Sequence, residues 1–287
     1  MNKQDLINRI DAQYKKMSKG QKLIAEYILN NYDKAAFMTA SKLGDVVGVS
    51  ESTVVRFANV LGYEGYPKLQ KALQELIRNK LTTVQRIEMS SDLDQSMVLR
   101  SVLKADMNNI RQTIEEVNNE DFDAVVNKIL QARHIYVLGL RSAAPLAQFM
   151  GYYLNFIFDN VRIVTSGVND IFEQLIHIGQ DDLLIGISFP RYASRAIEAM
   201  KFTKERGAAT VALTDSMLSP LTAYADYTLL ARSDMASFVD SLVAPLSLIN
   251  ALIVGIGIVK KAEISSGFNK LEDIWAQYNV YVEKDKG

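Results

Sequence analysis

The segment Thr39–Asn59, TASKLGDVVGVSESTVVRFAN, restricts the fold more than any other stretch of the chain. Thr39 is placed to cap a short helix whose Leu43, Val46 and Val47 share one face, and Gly48 supplies the turn that ends it. Gly44 stands where a second helix must approach closely. Val49 turns inward and Ser50 caps that second helix, which Val54, Val55 and Phe57 hold against the first. Two short helices so arranged form a helix-turn-helix. Ser50, Glu51, Ser52, Thr53, Arg56 and Asn59 then lie at the start or on the outward face of the second helix. Small polar groups and an arginine near a helix N-terminus suit a DNA major groove, where backbone amides also meet phosphate. An ordinary helical hairpin is the alternative, but it does not require a small residue, a turn glycine and two later apolar anchors at these separations.

The flanks support this head. Leu6, Ile7 and Ile10, and after Ser18 Leu23, Ile24, Tyr27 and Ile28, recur at helical spacing, and Asn30–Asp33 break the pattern. After the motif, Gly62, Gly65 and Pro67 mark either a wing or a tight loop. An amphipathic helix follows, on which Lys68 and Lys71 face either phosphate or solvent. Charge divides the chain in the same place: residues 1–80 hold 13 Lys+Arg against 8 Asp+Glu, and the remainder 19 against 25. A basic module suits a polyanion, and an acidic remainder suits a domain that stays off DNA. The expected division is therefore a DNA-binding domain over 1–80, a polar linker over 81–97 and a second domain over 98–287 with its core at about 124–264.

From His134 the pattern becomes alternating strands and helices. HIYVLGL, NVRIVTS, DDLLIGIS, AATVALTD and ADYTLLA are short apolar runs, separated by helical stretches at 143–158, 170–178 and 193–206. Buried runs of this length between helices predict a parallel five-stranded sheet covered on both faces, a doubly wound α/β fold behind the all-α head. Ligands of such sheets bind beyond the carboxyl ends of the strands where the strand order reverses. That singles out Gly139–Ser142, Thr165–Gly167 and Ser188–Tyr192. Arg141 with Ser142, and Ser188 with Arg191 and Tyr192, place serine and arginine just before helix starts, a pairing suited to phosphate or carboxylate. Capping serines with arginines paired to nearby acids are the alternative.

Two resemblances sharpen these readings. Through MSKGQKLIAEYIL, FMTASKLGDVVGVSESTVVRF and LGYEGYPKLQKAL, residues 18–73 resemble the N-terminal domain of the RpiR family of bacterial transcription regulators. Residues 124–263 resemble the sugar isomerase (SIS) domain that follows it in that family. The resemblance implies a sequence-specific regulator with a sugar-sensing domain. The family's commoner first loop is Gly-x-Gly-x-Ser; here Arg141 replaces the second glycine and Ala143 the serine. Its commoner third loop is Ser-x-Ser-Gly-x-Thr; Ser188 is kept, whereas Pro190, Arg191 and Ala193 replace the second serine, the glycine and the threonine. Hydroxyls that would meet a phosphosugar have gone and two arginines have appeared, so the expected ligand is an anionic sugar derivative, a sugar phosphate or a sugar acid.

Other chemistry finds little footing. The 287 residues contain no cysteine and two histidines, so no metal centre is expected, and no nucleotide-binding glycine motif suggests a cofactor. His134 and His177 are candidates for a general base by residue type alone, which keeps a sugar-phosphate isomerase-like enzyme as one alternative. A ligand-independent DNA-binding protein with a degenerate sensor is another. Met1–Arg9 is charged throughout and lacks an apolar signal core, so a cytoplasmic protein is expected. The uncharged run Ser241–Val259 is interrupted by Pro245, Ser247 and Asn250. It is read as a helix buried between the sheet and a partner subunit, not as a membrane span. The expected partners are double-stranded DNA with an imperfect palindrome, the anionic sugar ligand, and further copies of the chain as a homodimer or homotetramer.

Overall fold

The computed structural model describes residues 3–77, 84, 86–87, 95–167, 169–235 and 239–281. It divides into two compact units, Met1–Leu93 and Asp94–Gly287. Most of the stretch read as a linker lies outside the described residues.

In the first unit, α1 (Lys3–Tyr14), α2 (Lys19–Ala35), α3 (Ala40–Val47), α4 (Glu51–Val60) and α5 (Tyr66–Ile77) surround one core. Leu6, Ile10, Ile24, Ile28, Leu43, Val54, Phe57, Leu69 and Leu73 are all buried there. Ser18 and Gln21 form a reciprocal capping box at the start of α2. The break expected at 30–33 is a kink within α2, at Asn31, whose side-chain Nδ2 donates to the Tyr27 carbonyl at 3.3 Å. The chain leaving α2 is fastened by α5: the Tyr66 hydroxyl donates to the Met38 carbonyl at 2.8 Å, and the Gln70 and Gln74 side chains donate to Met38 and Ala36. Burial pushes the Tyr66 hydroxyl pKa up to about 12.

The second unit opens with α6 (Val98–Glu116) and α7 (Asn119–Gln131). Then follow β1 (Ile135–Gly139), α8 (Ala144–Leu154), β2 (Val161–Val164), α9 (Ile171–Gln174) and β3 (Leu183–Ile187). The unit continues with α10 (Ser194–Glu205), β4 (Ala209–Thr214), β5 (Tyr227–Leu230), α11 (Val243–Val259) and α12 (Lys261–Gln277). The sheet is parallel throughout, in the order β2-β1-β3-β4-β5. Alternate strand residues serve opposite layers. Ile135, Val137, Ile185 and Leu213 face α7, α8 and α11, while Tyr136, Leu138, Leu184 and Ala212 face α9 and α10. Because successive connections cross to either side of β1, the chain reverses direction across the sheet between β1 and β3, which opens a crevice at their carboxyl ends.

Two elements depart from the sequence reading. The helix expected over 170–178 is a single turn, since Asp170 and Glu173 cap its start but tighter bonds, Ile176 to Glu173 and Ile178 to Leu175, carry Leu175 and Ile178 into the core. The terminal helix begins earlier than 268, at Lys261, and Trp275 packs edge-on against Phe156 with ring centroids 6.4 Å apart. Helix α11 buries Leu248, Ile249, Leu252 and Ile256 against the sheet, while Val254 and Ile258 on its other face are exposed in the single chain. Among the described residues no helix is long and apolar enough to cross a membrane.

At the amino end of the strands, Asp182 is enclosed. It accepts both Arg133 guanidinium bonds at 2.9 and 2.8 Å, the Gly179 amide at 2.8 Å, and contacts His134 Nδ1 at 3.0 Å. Burial alone would raise its pKa, but these partners hold its carboxyl below the ordinary value. His134 thus belongs to a structural clasp at the end of the sheet away from the crevice, and His177 is exposed after α9.

Candidate functional site

Each unit presents a candidate site. In the first, the Thr39 hydroxyl accepts the Lys42 amide at 3.1 Å and starts α3, and Gly48 ends it in a left-handed conformation with φ 77°. Gly44 touches the turn so closely that a β-carbon there would lie 2.7 Å from the Val49 carbonyl oxygen. Val46, expected on the inner face, is 45% exposed, so Leu43 and Gly44 carry the packing of α3.

Helix α4 is anchored by Val54, Phe57 and Ala58 and leaves Glu51, Ser52, Arg56 and Asn59 exposed, with Thr53 half-buried. Ser50 takes the N-cap position but makes no capping bond to a helix amide. Its hydroxyl instead contacts the Ser52 and Thr53 hydroxyls at 3.0 and 2.8 Å. Arg56 folds back, donating from Nε to the Ser52 carbonyl at 3.2 Å. Asn59 accepts the Gly65 amide at 3.0 Å, so its carboxamide oxygen holds the loop after α4. That loop is tight: Gly62 and Gly65 have φ 84° and 89°, and Arg9 donates to the Leu61 carbonyl at 3.1 Å.

In the second unit, a cavity of about 740 Å³ lies beyond the carboxyl ends of β1, β2 and β3. Leu140 and Arg141 line it from the β1 loop, Ser166, Gly167, Asn169 and Asp170 from the β2 loop, and Arg191, Tyr192, Ala193, Ser194 and Arg195 from the β3 loop and the start of α10. Gly139 lets the β1 loop fold tightly back, since a β-carbon there would meet the Ala143 carbonyl oxygen at 2.5 Å. Arg141 and Arg191 both have positive φ, 55° and 64°. Helix α10 begins at Ser194, and its N-cap residue, Ala193, supplies no side-chain cap to the first amides. Arg195 is ion-paired with Asp170 across the cavity and lies over the Phe172 ring at 5.0 Å. Tyr192 donates to Asp215 Oδ1 at 2.7 Å, which ties the β3 loop to the end of β4.

Of the residues singled out from the sequence for this site, Arg141, Arg191 and Tyr192 are brought together on the cavity wall. Ser142 is exposed in the turn after Arg141, and Ser188 is buried, its carbonyl accepting the Thr214 hydroxyl at 2.8 Å; neither lines the cavity. Ser166 and Gly167, in the second of the three turns that the sequence pointed to, also line it, as do Asn169, Asp170, Ser194 and Arg195, which the sequence did not single out. The position of Ser194 and Arg195 in the first turn of a helix after β3 was the available signal. Among the described residues no group of three or more His, Cys, Asp or Glu is placed to hold a metal ion.

Comparison with known proteins agrees with this two-part construction. Residues 4–80 match the helix-turn-helix domain of the rpiR family, and residues 128–255 match the SIS domain. An HTH-type transcriptional regulator of Haemophilus influenzae is 28% identical over 229 residues, covering 78% of this chain and 79% of its own. The HTH-type transcriptional regulator HexR of Pseudomonas aeruginosa is 23% identical over 94% of this chain and 95% of its own. The sugar isomerase domain of an RpiR transcription factor from Sphaerobacter thermophilus superposes with a TM-score of 0.60 at 28% identity, over 62% of this chain and 99% of that one. The Vibrio vulnificus NanR protein, solved in complex with ManNAc-6P, gives 0.58 at 20% identity over 95% and 98%.

A basic helix-turn-helix unit joined to a SIS-type sheet defines a DNA-binding transcriptional regulator that carries a SIS domain. The chain's first domain is a helix-turn-helix domain of the rpiR type, and its second is a SIS domain.

Proposed function

We propose that the strand-end cavity binds an anionic sugar derivative, a sugar phosphate or sugar acid, and that its occupancy changes how tightly the first unit holds its operator. The observation that carries this is the pair Arg141 and Arg191, two guanidinium groups on strained backbone lining one cavity with the uncapped start of α10. Guanidinium forks and free helix amides are complementary to phosphate and carboxylate. That NanR was solved with a sugar phosphate supports the same ligand class.

On the DNA side, α4 enters the major groove with Ser52, Thr53 and Arg56 at base edges, Ser50 and Glu51 at its leading end, and Asn59 bracing the loop behind. Two copies, as a dimer or within a tetramer, read an imperfect palindrome. Ligand binding need favour one arrangement of the copies by only ~1–3 kcal/mol to alter operator occupancy. The relatives are named as regulators, and the cavity's carboxylate, Asp170, is committed to Arg195 and the Phe172 amide, both of which favour sensing over isomerase chemistry.

Isothermal titration of sugar phosphates and sugar acids into the wild type, Arg141→Ala and Arg191→Ala tests the site. Saturable binding by the wild type that falls at least tenfold in both variants supports it. Equal affinity in all three proteins moves the ligand elsewhere.

A further inference from the structure

We infer that the turn between α1 and α2 is a second DNA-binding surface of the first unit, in which Lys15, Lys16 and Lys19 hold the phosphate backbone beside α4. The inference rests on the chain's being a DNA-binding regulator and adds a surface that the recognition helix does not include.

Between Asp11 and Glu26 the sequence carries four lysines and no acidic residue. Three of them, Lys15, Lys16 and Lys19, are exposed, and the fourth, Lys22, lies over the Tyr14 ring at 5.3 Å. The backbone under them is fixed. The Lys16 amide donates to the Gln13 carbonyl at 2.9 Å, Met17 is buried as the anchor of the turn, and the Ser18–Gln21 capping box sets the direction in which α2 leaves.

The position of this turn is set by Gly20. A β-carbon at Gly20 would lie 3.3 Å from both Thr53 Cγ2 and Val49 Cγ1, so the start of α2 packs directly on the first turn of α4. Thr53 belongs to the same turn of α4 as Ser52. A helix lying in a major groove ~12 Å wide is bordered by phosphates, and an element packed against its leading turn lies at the edge of that groove. Lysines there are flexible point charges suited to phosphate and without means of reading base edges, so they fix register and add affinity but no sequence preference.

The test is fluorescence anisotropy of the full chain on its operator and on a scrambled duplex of equal length, from about 50 to 200 mM salt. Removing one lysine that neutralises a phosphate flattens the dependence of log K on log salt by ~0.9. Lys15→Gln/Lys16→Gln/Lys19→Gln should therefore flatten it by about two to three units, and Lys19→Gln alone by about one. The fractional loss of affinity should be equal on the two duplexes. Lys270→Gln in the second unit should leave the slope as it is. An unchanged slope in the triple variant, or a loss confined to the operator, overturns the inference while leaving DNA binding by α4 intact. A wild type that prefers no duplex, with no salt dependence to lose, removes the DNA-binding reading and this surface with it.

Discussion

Arg141 and Arg191 hold the same unusual backbone conformation at the ends of neighbouring strands, φ 55° after β1 and 64° after β3, and both line one cavity. In the loop patterns that the sequence resembles, these two places are glycine, which enters the left-handed region freely. An arginine there stores roughly 1–2 kcal/mol of strain. Both loops have kept a glycine's path while each gained a guanidinium group.

Restoring glycine separates the two consequences. Arg141→Gly and Arg191→Gly should leave the melting temperature unchanged or slightly higher, because relieved strain offsets the greater freedom of the unfolded chain. The same variants should bind the anionic ligand at least tenfold more weakly. Calorimetry of unfolding and of binding reads both; a destabilised protein with full affinity would contradict the assignment.

The closeness of α3 to the turn before α4 makes Gly44 intolerant of substitution. A β-carbon 2.7 Å from the Val49 carbonyl forces the two helices apart. Gly44→Ala should therefore cost ~1–3 kcal/mol and weaken operator binding together with stability. Gly267→Ala, on α12 with open space around it, should be neutral or stabilising by up to ~1 kcal/mol. Thermal melts of the two variants decide this.

Arg56 folds back on Ser52 in the unbound protein and must swing outward to reach a base. Arg56→Ala should lose ~1–3 kcal/mol of operator affinity and relax the preference at one base pair of each half-site. Binding to a set of single-base operator variants measures both, and unchanged discrimination would remove Arg56 from the reading set.

Asp182 links stability to pH. Its folded pKa is lowered, so its contribution is complete above the unfolded value near ~4 and is lost as pH falls through the lower folded value. Asp182→Asn should cost ~2–3 kcal/mol at pH 7, toward the low end for a broken buried pair because Arg133 is half exposed. The difference from wild type should shrink below about pH 4. Urea unfolding at pH 7 and at pH 3 tests this, and a constant difference would contradict it.

The five strands, their direction and the helix-turn-helix were legible because each depends on local pattern: apolar runs such as YVLG and LLIGI, the Thr39 cap, and the Gly44–Gly48 spacing. The outward face of Val46 was not, because a helix of eight residues offers too few turns to define which edge of its apolar stripe is covered. Arg141 and Arg191 could be found because they replace glycines in recognisable loops. Asp170 and Arg195 could not, since their pairing joins two loops that only the sheet brings together. Ser188 matches the family's loop, but it is buried at the end of β3, outside the cavity lining, where its backbone carbonyl accepts the Thr214 hydroxyl of β4.

Sensing by the strand-end cavity is tested most directly by fluorescence anisotropy of the full chain on DNA from upstream of its own gene, at moderate salt, with and without a panel of sugar phosphates and sugar acids. Sequence-preferring binding is expected, with an affinity shifted at least fivefold by one anionic sugar in the wild type and by none in Arg191→Ala. Sequence-preferring binding that no member of the panel shifts, or an equal shift in the variant, would contradict the assignment of the strand-end cavity as the sensor.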